Sequence, residues 1–254
     1  VFFFVSCNIF SRPRKYMCTV TLIPTKENNF ILTSNRDEAI NRKTLLPEFY
    51  QENGSRMLFP KDAVAGGTWI GVSDKNTMIC LLNGGFDIHK RASAYRQSRG
   101  VVVKELLGAD DLEKSILDYN CKGIEPFTII AANWNSDLLL LEFVWDGNQK
   151  HLRVLEKELY IWSSSTLYTQ EMKKVREHWF ADFEINNTLT PESLLYFHKN
   201  AGVGDCNIDL QIDRGDLKTK SITQIVKKEE ELSMRYENLQ NKEVSTVIFE
   251  AITA

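Results

Sequence analysis

Cys18 follows Met17 directly, in Met17-Cys18-Thr19-Val20-Thr21, and a cysteine in that position has chemistry open to it that an internal cysteine lacks. If translation starts at Met17 and that methionine is trimmed, Cys18 carries a thiol and a free α-amine on one Cα. Their unperturbed pKa values, about 8.5 and about 7.7–8.0, are close enough for one group to deprotonate the other near neutral pH. A single residue then supplies nucleophile and general base. The alternative is a small apolar side chain packed in a strand, a common fate of free cysteine.

The choice turns on what precedes Met17. Residues 1–10 are largely apolar, and the basic Arg12, Arg14 and Lys15 come after them. A secretory signal has the reverse order, charge first and a small-residue cleavage site last. Residues 1–16 are therefore expected to be a mis-assigned start or a removed extension, with residues 17–254 forming a single working domain.

A second polar cluster, Ser34-Asn35-Arg36-Asp37-Glu38, must lie close to Cys18. Residues 19–25 alternate apolar and polar, Glu27-Asn28-Asn29 interrupts them, and Phe30-Ile31-Leu32-Thr33 resumes, which is a β-hairpin pattern. The antiparallel return of its second strand carries the cluster back to the start of the first. On a strand of period two, Asn35 and Asp37 face one side and Arg36 and Glu38 the other.

The elements that must hold this region follow along the chain. Residues 41–62 contain Pro47 and Pro60 and are expected to be loose. A second hairpin is expected over 68–72 and 77–82, bounded by Gly66-Gly67 and by Asn83-Gly84-Gly85. Helical spacing predicts helices over 95–107, over 110–119 with Asp110 as cap, from Thr169 to about 180, and from Thr190-Pro191-Glu192 onward. Strands are expected over 127–131, 138–145, 152–155, 160–163, 220–226, 234–239 and 246–249, and Lys227-Lys228-Glu229-Glu230-Glu231 is a solvated turn. Strands and pairs of helices in this order predict an α+β fold with mainly antiparallel sheets, accommodated by four αββα layers.

Composition excludes several classes. A net charge of −3 over 254 residues gives no basic field for nucleic acid. No apolar run reaches the ~18 residues of a membrane span. Cys7, Cys18, Cys80, Cys121 and Cys206 are scattered, and His89, His151, His178 and His198 lie far apart, so neither a metal site nor a disulfide framework is expected. This cysteine usage fits a cytoplasmic, reducing compartment.

Met17-Cys18-Thr19-Val20 followed by Thr33-Ser34-Asn35-Arg36-Asp37-Glu38 resembles the NRDE family, also called the transport and Golgi organisation protein 2 family. Gly66-Gly67-Thr68-Trp69-Ile70-Gly71, Leu82-Asn83-Gly84, Ser163-Ser164-Ser165-Thr166-Leu167 and Ser221-Ile222-Thr223-Gln224 look like its later motifs, in order over most of residues 17–250. The resemblance implies an N-terminal-nucleophile hydrolase fold, similar to the cysteine enzymes that cleave non-peptide amides, such as penicillin V acylase and bile salt hydrolase. It places the nucleophile on Cys18, with Arg36 and Asp37 beside it and Asn83 as oxyanion donor. Ser164 stands where many relatives have a second Asn, and Lys220 where acylases have a late Arg. On this reading Arg36 lowers the thiol pKa, Asp37 holds the α-ammonium or orients Arg36, and the Asn83 amide donates to the developing oxyanion. Asn35, Glu38, Trp69 and Ser164 complete the signature as possible substrate contacts, with Trp69 better suited to the core. The resemblance leaves two functions open. One is amide hydrolysis without a required cofactor. The other is a non-enzymatic carrier of a small or lipid-like ligand, with an acyl lipid or haem as the transported molecule.

Overall fold

The computed structural model describes residues 17–166 and 168–250; residues 1–16, and with them the expectation of a mis-assigned or removed extension, lie outside the described residues. Two antiparallel sheets carry the chain. The first joins β1 (Met17–Pro24), β2 (Phe30–Ala39), β10 (Tyr160–Ser163), β11 (Leu217–Lys228), β12 (Glu231–Asn238) and β13 (Val244–Ile248) in the order β10-β1-β2-β11-β12-β13. The second runs in sequence order through β3 (Thr44–Glu52), β4 (Ser55–Asp62), β5 (Ile70–Ser73), β6 (Thr77–Asn83), β7 (Phe127–Asn133), β8 (Leu139–Trp145) and β9 (Lys150–Leu155). Helices α1 (Arg99–Leu107) and α2 (Leu112–Asp118) cover the second sheet, and α3 (Gln170–Asn186) and α4 (Pro191–Asn200) cover the first. The layers are thus helix, sheet, sheet, helix, as the strand and helix order predicted.

Strand periodicity decides what each layer buries. Val20 and Leu22 of β1 and Phe30 and Leu32 of β2 point toward the second sheet and join the main apolar core, which continues through that sheet to Met57, Ile79 and Phe143 on its far face, under α1 and α2. Ile23 and Ile31 point the other way, into a smaller cluster with Phe180, Leu194 and Phe197 from the helices. Each such side chain contributes roughly 1.5–3 kcal/mol when fully buried. Every residue of β2 is buried, including its polar end.

Residues 41–62 are ordered as β3 and β4 rather than loose. Their prolines sit where a sheet tolerates them. Pro47 falls at a register shift on an edge strand, between Leu45 and Glu48. Pro60 lies beyond Met57 and Leu58, the β4 residues that pair with β5. Helix α1 starts later than spacing predicted, at Arg99, because Arg96 and Gln97 bond instead to Gly123 and Ile124. Asp111, not Asp110, caps α2, while Asp110 forms an ion pair with Lys75. Thr169 and Thr190 cap α3 and α4 as expected, although α3 runs on to Asn186.

One polar cluster fixes α4 to the first sheet. Asn35 donates to the carbonyls of His198 (3.0 Å) and Leu210 (2.7 Å). With both amide hydrogens used, its Oδ1 accepts from His198 Nδ1 at 2.8 Å, which leaves Nε2 to accept from Thr21 Oγ1 at 2.8 Å. Burial, and then the Arg176 charge, push the His198 pKa down to about 3, so the ring is neutral. Asn35→Ala is expected to lower stability by about 3 kcal/mol, because it strands several buried polar groups at once. Urea unfolding measures this; a loss under about 1 kcal/mol would mean that the cluster does not hold the helix.

Candidate functional site

The hairpin register sets Cys18 directly opposite Arg36. Both side chains face the second sheet, where a cavity of about 680 Å³ is lined by Cys18, Arg36, Glu38, Asp62, Trp69 and Asn83 among others. Arg36 lies within a cage of partners. It donates to Asp62 at 2.9 Å, Glu38 at 3.3 Å and Thr44 Oγ1 at 3.0 Å, and its guanidinium carbon stands 4.2 Å from the Trp69 ring centroid. Such stacking holds a desolvated guanidinium flat. Asp62 also takes Arg42 and the amides of Val64 and Ala65. Burial alone would lift its pKa, but the Ala65 amide, Arg42 and Arg36 together hold it below the usual value. Glu38 shifts the other way, raised by burial despite Arg36.

Cys18 is 5 % exposed. Burial is the chief cause of a thiol pKa well above its ordinary value, and Asp37 and Cys80 add to it. Arg36 and the Asp37 backbone N–H pull it down by less. Arg36 thus lowers the thiol pKa, as expected of a neighbouring cation, without outweighing burial. Its charge acts in that direction, but its guanidinium is bound to two carboxylates, and burial prevails.

Asp37 reaches backward. Its carboxylate accepts from Thr219 Oγ1 at 2.5 Å and from Tyr168 OH at 3.5 Å. Tyr168 in turn accepts from Arg176, which also donates to Thr19 Oγ1 at 2.6 Å. This chain of bonds backs the strand residue next to Cys18. Burial lifts the Asp37 pKa to about 6, opposed by the Thr219 hydroxyl, Arg176, Arg214 and Tyr168.

Ser164 ties the ends of β1 and β6 together. Its amide donates to the Cys18 carbonyl at 3.0 Å and its hydroxyl to the Asn83 carbonyl at 2.5 Å. The structure thus brings Cys18, Arg36, Asp37, Glu38, Trp69 and Asn83 to one cavity, while Ser164 bonds the backbone of Cys18 and Asn83 from outside its lining. Asn35 is not among them, since pleating turns it toward α4, and Lys220 donates to the Ile40 carbonyl at 2.5 Å instead of lining the cavity.

Sequence reasoning missed Asp62, Arg99, Glu125 and Arg176. Arg176 had a legible signal: it replaces an apolar residue in the i, i+4 series Met172, Arg176, Phe180 on α3. Glu125 interrupts the apolar run from Ile124 to Phe127. Asp62 and Arg99 had none, because only the folded chain shows what they face. Among the described residues no cluster of His, Cys, Asp and Glu suits a metal ion, and no helix is long and apolar enough to cross a membrane.

Comparison with known proteins follows this geometry. The sequence pattern of the Transport and Golgi organisation 2 family matches residues 17–194. The mouse Transport and Golgi organization 2 homolog is 32% identical over 117 residues, which are 43% of this chain and 41% of that protein, so the match spans about two fifths of the relative. Among solved structures, penicillin V acylase from Agrobacterium tumefaciens superposes with a TM-score of 0.55 at 10% identity, over 91% of this chain and 86% of that one. A conjugated bile acid hydrolase from Clostridium perfringens gives 0.51 at 10% identity, over 91% and 92%. The Caenorhabditis elegans ortholog of N-acylethanolamine-hydrolyzing acid amidase gives 0.52 at 10% identity, over 82% and 92%. These likenesses establish an N-terminal-nucleophile hydrolase fold.

Two outcomes are expected from the electrostatics. In the chain with Met17 attached, iodoacetamide at pH 7.5 should label the exposed Cys206 long before the buried Cys18, followed by peptide mass mapping; equal rates would contradict the closed, protonated thiol. Asp37 has a folded pKa above its unfolded one, so its contribution to stability is full below about pH 4 and is lost as pH rises through about 6. Asp37→Asn should therefore gain stability relative to the parent between pH 4 and 7, by up to about 3 kcal/mol. Urea unfolding across that range tests it, and a constant or shrinking difference would refute the assignment.

Proposed function

The chain belongs to the Transport and Golgi organisation 2 family, and from that premise we propose that it hydrolyses a non-peptide amide through Cys18 once Met17 is removed. The observation carrying this reading is the shared cavity: Cys18 lies opposite Arg36, and Asn83 lines the same wall. In the reaction, the sulfur attacks the amide carbonyl while the α-amine takes the thiol proton. The tetrahedral oxyanion accepts from the Asn83 amide, a contact worth roughly 3–4 kcal/mol in favourable sites. The C–N bond then breaks, the α-ammonium returns its proton to the leaving amine, and a thioester remains on Cys18. Water attacks the thioester, giving the acid and restoring the thiol. Residue 17 pairs with Asp37, so a new α-ammonium at Cys18 is formed beside that carboxylate. Arg36 acts as a positioning residue, held by Glu38, Asp62 and Trp69.

A second reading is a non-enzymatic carrier on the same fold. What favours it is the Cys18 thiol, buried and raised in pKa while the chain continues upstream. Its cargo is then an acyl lipid or haem, with Cys18 the cavity group that meets iron, and a cytoplasmic setting keeps that thiol reduced.

Intact mass spectrometry with an acylating probe separates the two. Protein beginning at Cys18 should gain one acyl group and lose it on standing, and Cys18→Ala should gain none. Protein retaining Met17 should be slower by at least about 100-fold, having no α-amine at the sulfur. Equal acylation with and without Met17, or haem or acyl-lipid binding by trimmed protein without any acylation, would reject hydrolysis.

A further inference from the structure

We propose that the free edge of β13 is a docking surface for a second copy of this chain, which adds its own β13 antiparallel across a two-fold axis at Thr246. β13 ends the first sheet, and among the described residues no strand pairs with its outer side. The other sheet edges carry features that discourage pairing. β3 has Pro47 and a register shift between Leu45 and Glu48. β9 carries Lys150, His151 and Arg153, and β10 is only four residues long. β13 reads Val244-Ser245-Thr246-Val247-Ile248, with no proline, glycine, charge or register shift. A regular, uncharged edge rich in β-branched residues is a template for another strand.

The ladder on one side of β13 fixes what the other side offers. The Phe249 amide donates to the Leu232 carbonyl at 2.7 Å, and the Asn238 amide donates to the Glu243 carbonyl at 2.8 Å. Both bonds continue the β12–β13 register, so Ser245 and Val247 between them also turn their backbone groups toward β12. The N–H and C=O groups of Val244, Thr246 and Ile248 therefore point out of the sheet. A second copy centred on Thr246 sets Val244 opposite the partner's Ile248 and Thr246 opposite the partner's Thr246. Every outward group then meets an outward group, in about six backbone hydrogen bonds.

Side chains and charges fit the same operation. Val244 and Ile248 are apolar yet 50% and 51% exposed, and in this register each covers the other across the two strands. Thr–Thr and β-branched pairs are favourable cross-strand neighbours. Lys242 and Glu250 flank the strand, both exposed, and neither side chain forms an ion pair among the described residues. They stand at equal distances along the chain from Thr246, so the two-fold brings Lys242 to the partner's Glu250 at each end. A foreign strand has no reason to match both the outward backbone groups and these end charges, which is what singles out a second copy. A five-residue ladder is small beside the interfaces of permanent dimers. The association is accordingly reversible, with a Kd of about 10 μM.

Sedimentation velocity on the full chain, from about 1 to about 300 μM, tests the proposal. The average mass should rise from monomer to dimer over that range and stop there, because a two-fold contact closes. Thr246→Lys sets like charges face to face at the axis and should raise Kd at least about tenfold. Lys242→Glu should weaken association about threefold at low salt, and the exchange of Lys242→Glu with Glu250→Lys should restore the parent Kd. Both exchanged residues are exposed and lie outside the ladder, so this arm decides the matter even where Thr246→Lys fails to fold. A chain that stays monomeric at about 300 μM, its edge covered or left for a foreign strand, would overturn the proposal. So would a dimer that folded Thr246→Lys protein still forms with unchanged Kd, a charge exchange that does not restore association, or growth beyond the dimer.

Discussion

The two-residue period of β2 is the constraint on which the rest of this structure depends. It splits Asn35-Arg36-Asp37-Glu38 between two faces of one strand, so a contiguous tetrapeptide serves two layers. Asn35 and Asp37 turn toward the helices, where they bond His198, Thr219 and Tyr168. Arg36 and Glu38 turn toward the second sheet and meet Asp62 and the cavity. A slip of one residue in the pairing with β1 would exchange these faces and place Asn35, not Arg36, beside Cys18. The register is held by the apolar residues upstream, since Leu22 with Leu32 and Ile23 with Ile31 must each reach their own core.

Charge burial explains the form of the site better than charge attraction does. Four carboxylates (Asp37, Glu38, Asp62 and Glu125) and four arginines (Arg36, Arg42, Arg91 and Arg99) line the cavity, and none of the pairs is simple. Arg36 is shared by Glu38 and Asp62, while Glu125 is shared by Arg91 and Arg99. Buried ions need several partners to offset desolvation. Arg36 meets that need with two carboxylates, a hydroxyl and an aromatic face. A cation so well satisfied has little residual effect on the neighbouring sulfur, whose pKa then follows its own burial.

Much of this was legible in the sequence, for identifiable reasons. Alternation over residues 19–33 gave the hairpin, and hairpin geometry alone brought Arg36 to Cys18. Thr169, Thr190 and Pro191 announced helix starts because capping is a local interaction. The failures lie where local signals compete or distance intervenes. Pro47 and Pro60 concealed β3 and β4, since only the sheet order shows that they avoid a needed ladder bond. Asp110 and Asp111 were equivalent caps until Lys75 engaged the first. The role of Asn35 required α4, more than 150 residues downstream, to return to its strand.

Ser164 shows how backbone contacts hold the two sheets in register at the cavity. It uses its backbone amide for the Cys18 carbonyl and its short hydroxyl for the Asn83 carbonyl. Both bonds fix backbone, and together they join the end of β1 to the end of β6. The distance between Cys18 and Asn83 is then set by main-chain geometry, which transmits displacement with little slack. Positioning in this protein is a property of the two sheets. The side chains facing the cavity, Arg36, Glu38, Asp62 and Trp69 among them, are held in turn by bonds to one another.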